Sequence, residues 1–350
     1  MSDESASALV VLPVLNEAQY IESVLSQLAL HLPADLAVRL LVVDGGSADD
    51  TVKIATRLGK ADSRILVLHN PKRLQSSSVN LAVRTFGADF KVLIRCDAHS
   101  IYPPTYVSDL IETLNRTQAD AVVVPMDTRG DTCLRKAIAW VSDSVVGSGG
   151  AAHRGGARSG YVDHGHHAAF RMAMFAAAGG YDESFSHNED AELDCRQHAL
   201  GARIYLDASI RIGYVPRATL GSLWRQYFSY GVGRSRTVRK HPHSLRLRQF
   251  VVPAHIILSL LCLAGAAWHP LLLLWPGAYA GVLCLTACVL ALRHRSLCGL
   301  LAAPAALAMH VAWALGFLSG LVTKRQRRWS RSCLAPLEMA YTGSRGTTAS

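Results

Sequence analysis

The chain has no CxxC and no paired cysteine spacing: its eight cysteines stand at 96, 133, 195, 262, 284, 288, 298 and 333. That pattern excludes a zinc finger and a disulfide framework, and it predicts reduced thiols used as small hydrophobes. Charge is scarce as well, at 18% of residues, and residues 250–323 are nearly free of it. No basic face with interleaved aromatics lies away from that apolar stretch, which argues against a nucleic-acid partner. No secretory leader is expected, because Met1-Ser2-Asp3-Glu4-Ser5 is acidic and polar and runs straight into an apolar strand. The bulk of the chain is therefore expected in the cytoplasm.

What is present divides into two regions, as 350 residues suggest. Hydrophobic residues make up 50%, and the excess collects in three segments, 250–268, 271–292 and 297–323. The first two are long enough to cross a bilayer core at roughly 20 residues per span. The third contains Pro304 and His310 and is either a re-entrant or kinked segment or a third crossing; His310 reads as a kink or packing residue. The formal charge of +10 comes largely from clusters at 225–248 and 324–331, which flank the apolar region. Such clusters mark topology and favour a membrane with anionic lipids.

Residues 8–125 alternate strand and helix. The continuous apolar run at 8–14 and the mostly apolar 38–43 read as strands, and apolar positions 21, 24, 25 and 28 predict a helix within 17–32. A helix over 49–58 follows, with Ser47 as a plausible N-cap. The alternation continues through 64–68, 75–87, 90–95, 104–114 and 119–125, which argues for a parallel sheet with helices on both faces. Beyond it a helix is expected at 133–146, a Gly- and Ser-rich mobile loop at 147–165, helices at 172–178 and 189–200, short strands near 203–206 and 210–215, and an amphipathic helix at 220–230.

The strand ends of the first half collect acidic residues in order. Pro13-Val14-Leu15-Asn16-Glu17 follows the first strand, Asp44-Gly45-Gly46 the second, and Cys96-Asp97-Ala98-His99 the fourth. An open α/β sheet places its ligand beyond the carboxyl ends of its strands. A uracil base and its ribose present donors and hydroxyls that suit Glu17 and Asp44, and the two glycines allow close backbone approach. Residues two apart on extended chain point the same way, so Asp97 and His99 could converge on one ion that holds a pyrophosphate. The alternative for each motif alone is a polar turn; three in order within one hundred residues favour a site.

These motifs resemble the inverting, GT-A-type glycosyltransferases of family 2. The resemblance covers roughly residues 7–235 and rests on LPVLNE (12–17), VVDGGSADDT (42–51), the Asn80 region of QSSSVNLAVRTFGAD (75–89), RCDAHS (95–100) and HNEDAELDCR (187–196). With VDHGHHAAFR (162–171) and LWRQYFSYGVGRSRTVRKH (223–241), the chain looks more narrowly like succinoglycan-type, membrane-attached β-glucosyltransferases of exopolysaccharide biosynthesis. The resemblance implies an α/β GT-A domain over 1–235, its nucleotide-binding half at about 7–125 and its acceptor half at about 126–235. A basic juxtamembrane linker (236–249), two or three transmembrane or re-entrant helices (250–323) and a basic then polar tail (324–350) follow.

It further implies a UDP-sugar donor, a divalent cation (Mn or Mg), a lipid-linked glycan acceptor and inversion at the anomeric carbon. Pro13, Asn16, Glu17 and Asp44 match the nucleotide pocket, with Lys72 or Arg73 also reaching toward the donor. Asp97 matches the first Asp of the family's DxD; His99 replaces the second, which suits Mn²⁺ better than Mg²⁺. Asp190 matches the catalytic base, although a carboxylate in a first helical turn is also common for structural reasons.

Glu189, Arg171, Trp224 and Arg225 are candidates for acceptor or diphosphate binding, against a surface arginine at 171 and an interfacial helix at 224–225. Arg234 and Arg236 could serve the same diphosphate. His164, His166 and His167 lack a standard metal spacing and read as acceptor-loop or structural residues. The expected function is transfer of a sugar, glucose in β linkage, from a UDP-sugar to a polyprenyl-diphosphate-linked oligosaccharide on the cytoplasmic side of an inner membrane that the chain crosses several times. A polyprenyl-phosphate sugar synthase is the enzymatic alternative. An inactive membrane scaffold or transporter component is the other. The absence of QxxRW argues against a processive synthase.

Overall fold

A computed structural model describes residues 7–33, 36–149 and 158–323. The chain forms two compact units, and among the described residues the first comprises 7–126 and 158–213, the second 127–149 and 214–323.

The first unit is built on β1 (Ser7–Val14), α1 (Ile21–Leu30), β2 (Ala37–Asp44), α2 (Thr51–Ala61), β3 (Ile65–His69), α3 (Gln75–Phe86), β4 (Val92–Arg95), α4 (Tyr106–Thr117) and β5 (Ala121–Val123). The chain passes into the second unit within β6 (Met126–Thr128), which precedes α5 (Cys133–Ser142) and α6 (Val145–Ser148). It returns with β7 (Gly160–Tyr161), β8 (His167–Arg171), α7 (Met172–Ala177), α8 (Glu189–Ala199) and β9 (Ile204–Leu206), and leaves again at β10 (Ile212–Tyr214). The order of the eight-stranded sheet is β3-β2-β1-β4-β8-β5-β9-β7. The first four strands are parallel, as the alternation predicts. β8 then enters antiparallel between β4 and β5, and β7 closes the edge antiparallel to β9, so the sheet is mixed.

Burial on both faces explains why β1 and β4 read as unbroken apolar runs. Leu9, Val11, Leu41, Val43 and Leu93 join Phe170, Phe175 and Tyr181 in one buried cluster. Arg95 is the exception, a charged side chain that ends β4 and stays buried.

Several local expectations shift. α2 begins at Thr51, and Ser47 does not cap it; the Ser47 hydroxyl instead accepts from the Asn16 amide at 2.9 Å. The helix expected over 133–146 breaks at Asp143, after which the Ser144 hydroxyl caps α6. Within the stretch expected as a loop, Gly160–Tyr161 is an edge strand, while 150–157 lie outside the described residues.

The second unit continues with α9 (Leu220–Lys240), α10 (Arg248–Gly265), α11 (Leu274–Arg293) and α12 (Ala302–Thr323). α9 is twice as long as its amphipathic start suggests, because small residues let it lie directly on α12. A Cβ on Gly231 would fall 2.2 Å from the Trp313 carbonyl oxygen, and one on Gly316 would fall 2.1 Å from that of Phe228. Backbones approach this closely only where side chains are absent.

Two helical segments, Pro270–Arg293 and Leu297–Val322, are long and apolar enough to cross a membrane. The first apolar segment, expected to cross as 250–268, is helical only to Gly265 and falls short of a span. His310 packs by hydrogen bonds, 2.8 Å from the Tyr279 hydroxyl and 2.8 Å from the Val146 carbonyl. The basic cluster at 324–331 and the tail lie outside the described residues.

The expectation that all cysteines are reduced is corrected: Cys133 and Cys298 form a disulfide across 165 residues. Sequence spacing carries no trace of so distant a pairing. Cys96, Cys195, Cys262, Cys284 and Cys288 are free thiols.

Candidate active site

The loops after β1 and β2 are laced together by backbone amides. Asn16, at a positive φ of 57°, accepts from the Ala48 amide through its side-chain oxygen at 2.8 Å. The Glu17 amide donates to the Thr51 hydroxyl at 2.8 Å and the Ala18 amide to Asp49 at 3.1 Å. Asn is among the few residues with a side chain that tolerate this left-handed conformation. Asp44 accepts from the amides of Gly46 at 2.9 Å and Ser47 at 3.0 Å, closing the Gly-Gly turn on itself. Burial pushes the Asp44 carboxyl up, but the Ser47 and Gly46 bonds outweigh it and hold its pKa below the ordinary value.

This lacework shapes a cavity of about 210 Å³ at the strand ends. Pro13, Glu17, Asp97 and His99 line it, joined by Gly45, Arg73 and Gln75. Asn16 and Asp44 build its wall without lining it. Of the two basic candidates, Lys72 is committed to Glu183 at 2.5 Å, and Arg73 faces the cavity. Gln75 carries no motif signal of its own, and its side-chain amide donates to Asp97 Oδ1 at 3.0 Å.

Asp97 and His99 line the same cavity, although not on extended strand: β4 ends at Arg95 and a turn begins at Ala98. The His99 Nδ1 lies 3.1 Å from Glu17 Oε1. The His166 Nε2 lies 3.7 Å from Asp97 Oδ2. Burial raises the Asp97 pKa, but Arg95, His166 and His99 outweigh it, and the carboxylate stays ionised. No three His, Cys, Asp or Glu side chains form a ready metal cage among the described residues. A partly exposed carboxylate of this kind still fits a divalent cation that draws its other ligands from phosphates and water.

On the far side of Asp97 lies a carboxylate pair at the start of α8. Arg95 Nη1 donates to Asp190 Oδ1 at 2.6 Å, and the Tyr181 hydroxyl donates to the same oxygen at 2.8 Å. The guanidinium also lies 3.7 Å from Asp97 and 3.9 Å from Glu189. Burial acts to raise the Asp190 pKa, but Arg95 and then His167 and His166 bring it down to about 2. Burial and the Asp190 charge push Glu189 up to about 7. One turn along the helix, buried Asp194 bridges His164 and His167 at 2.5 Å each. This assigns two of the three histidines to holding the 162–167 segment against α8.

Arg171 does not reach the site. Its guanidinium donates to the carbonyls of Leu114 at 2.8 Å and Ala119 at 3.0 Å, securing the end of α4. Trp224 and Arg225 belong to α9 of the second unit, are exposed, and are not among the residues lining the cavity. Arg95, Tyr181 and Asp194 join the site without standing among the residues that the sequence motifs single out for it. The available signal was an arginine closing an otherwise apolar strand, which a folded protein keeps only with carboxylate partners.

Residues 9–178 match the family described as Glycosyl transferase family 2. The chain is also 44% identical over 335 residues to the succinoglycan biosynthesis protein ExoA of Rhizobium meliloti (strain 1021), covering 93% of this chain and 99% of that protein. The chain belongs to glycosyltransferase family 2. A more distant relative, a dolichyl N-acetyl-α-D-glucosaminyl phosphate 3-β-D-2,3-diacetamido-2,3-dideoxy-β-D-glucuronosyltransferase of Methanococcus voltae, is 23% identical over 66% of this chain and 74% of its own length. Among solved structures, the mannosyltransferase PcManGT of Pyrobaculum calidifontis, in complex with GDP-Man and Mn²⁺, superposes with a TM-score of 0.60 at 18% identity. The match covers 91% of this chain and 88% of that one, and it carries the fold alone. This family 2 glycosyltransferase therefore has the mixed α/β GT-A architecture that its motifs imply.

Proposed function

We propose that this glycosyltransferase moves a sugar, glucose in β linkage, from a UDP-sugar to a polyprenyl-diphosphate-linked oligosaccharide in exopolysaccharide biosynthesis, with inversion at the anomeric carbon. Similarity to ExoA along nearly the whole chain supports the pathway, and the dolichyl-phosphate-linked acceptor named for the Methanococcus voltae relative supports a lipid-linked one. The apolar segments Pro270–Arg293 and Leu297–Val322 support attachment to the inner membrane, with the first unit on the cytoplasmic side.

The observation that carries the chemistry is one buried guanidinium, that of Arg95, shared by Asp97 and Asp190. Glu17, Pro13 and Arg73 line the cavity for the nucleotide, and Asp97 lines it as well, for the diphosphate. A divalent cation at Asp97 would neutralise charge on the departing diphosphate. Asp190 lies on the other side of Arg95, where it takes the proton of the attacking acceptor hydroxyl. Its low pKa suits a proton transferred late, once the acceptor oxygen has bonded to the anomeric carbon and become acidic. Arg95 and Tyr181 fix the carboxylate oxygen that they share, which makes the geometry of attack reproducible.

The reading is tested by screening UDP-sugars for UDP release with lipid-linked acceptors, with and without Mn²⁺. UDP-glucose with a polyprenyl-diphosphate acceptor is expected to give the highest rate. Preference for a bare polyprenyl phosphate would support the synthase alternative instead, because a phosphate monoester needs no general base.

A further inference from the structure

The second unit carries a cationic cavity that the glycosyl-transfer reading does not use. Its volume is about 360 Å³, and its polar lining is Arg129, Lys136, Thr128, His294 and Ser296, with Trp140 as the large aromatic wall. No carboxylate lines it. The nearby Asp131 is held by Arg135, at 2.9 Å from each of its oxygens. Neither Arg129 nor Lys136 has an ion-pair partner among the described residues.

The walls are fixed by close packing. The Trp140 and His294 rings stack at 4.2 Å and 4°. The Cys133–Cys298 disulfide ties the start of α5 to the turn before α12. A Cβ on Gly130 would lie 2.3 Å from the Lys136 amide nitrogen, so only glycine brings Arg129 this close to α5. Likewise a Cβ on Gly299 would lie 2.4 Å from the Ala291 nitrogen, which seats the turn on α11.

Its position indicates the ligand. His294 and Ser296 belong to the turn joining the two membrane-length segments, between Arg293 and Arg295 and the exposed Leu292 and Leu297. Apolar helices ending in arginine, with a tryptophan at the same level, are features of the head-group layer of a bilayer. A cation-lined, carboxylate-free cavity there matches a phosphodiester. We propose that this cavity binds the phosphate of an anionic lipid head group and so anchors the α11–α12 turn at the interface. The proposal rests on the membrane reading of these helices and is independent of sugar transfer.

The test uses the full chain in neutral detergent, titrated with phosphatidylglycerol or phosphatidylcholine and read by native mass spectrometry, which needs no turnover. Phosphatidylglycerol is expected to bind selectively and to weaken as salt rises. The Arg129→Gln/Lys136→Gln double variant is expected to lose roughly 30-fold in phosphatidylglycerol affinity, at about 1 kcal/mol per cation, with phosphatidylcholine unchanged. The charge-keeping Arg129→Lys/Lys136→Arg variant is expected to retain binding and so separates charge from folding. Equal affinity for the two lipids, salt-independent binding, or a double variant that binds like wild type would overturn the proposal. Displacement of the lipid by millimolar inorganic phosphate would reassign the cavity to a free anion and overturn the lipid source.

Discussion

Arg95 Nη1 sits 2.6 Å from Asp190 Oδ1, while Nη2 of the same guanidinium lies 3.7 Å from Asp97 Oδ1. One buried cation thus spans the carboxylate after β4 and the carboxylate pair at the start of α8, and Arg95 and Asp190 lie 95 residues apart in sequence. Replacing it by Met leaves three carboxylates crowded without their shared counter-charge. Arg95→Met is expected to destabilise the first unit by about 3–5 kcal/mol and to remove activity. Arg95→Lys, which keeps charge and loses the planar fork, is expected to recover stability in part and activity little. Urea unfolding and UDP-release assays on the pair check both halves; a stable, active Met variant contradicts the assignment.

Glu189 and Asp190 give opposite pH signatures. With its pKa raised to about 7, Glu189 holds a proton in the folded state that the unfolded chain releases near the ordinary value of 4.5. Stability from this group therefore falls as pH rises from 4.5 to 7 and is level above. Asp190, lowered to about 2, contributes stability that is full above the unfolded value of 3.8 and is lost as pH falls toward 2. Glu189→Gln, which mimics the protonated form, is expected to match wild type near pH 4 and to exceed it by about 1–3 kcal/mol at pH 8. Denaturation across that range checks the sign; a variant less stable than wild type at pH 8 contradicts it.

The Cys133–Cys298 disulfide is expected to protect both thiols from alkylation in denaturant until reductant is added, whereas Cys96 and Cys195 label at once. Reduction is expected to cost about 2–4 kcal/mol in the second unit. Peptide mapping of the alkylated chain is the measurement, and labelling of Cys133 without reductant would refute the bond.

The sheet was legible because buried strands are continuous apolar runs and their helices keep helical spacing: β1, β2 and β4 fall where the sequence puts them. The acidic strand ends were legible for the same reason, since each follows directly on such a run. What the sequence hid is contact at long range. His99 turns to Glu17 across 82 residues, which no local alternation can encode. Arg171 looked like a ligand for phosphate, yet it spends its donors on two carbonyls at the end of α4. His164 and His167 have no metal-like spacing, and their common partner is a carboxylate on another element.

The most direct test separates donor binding from transfer in Asp97→Ala and Asp190→Asn, using UDP-sugar affinity and UDP release with a lipid-linked acceptor in the presence of Mn²⁺. Asp190→Asn is expected to bind the UDP-sugar within about threefold of wild type while losing transfer by about 10²–10⁴-fold, the range of a general base. Asp97→Ala is expected to lose donor affinity and transfer together. Full transfer by Asp190→Asn, or unchanged donor affinity in Asp97→Ala, would contradict the division of labour between these two carboxylates.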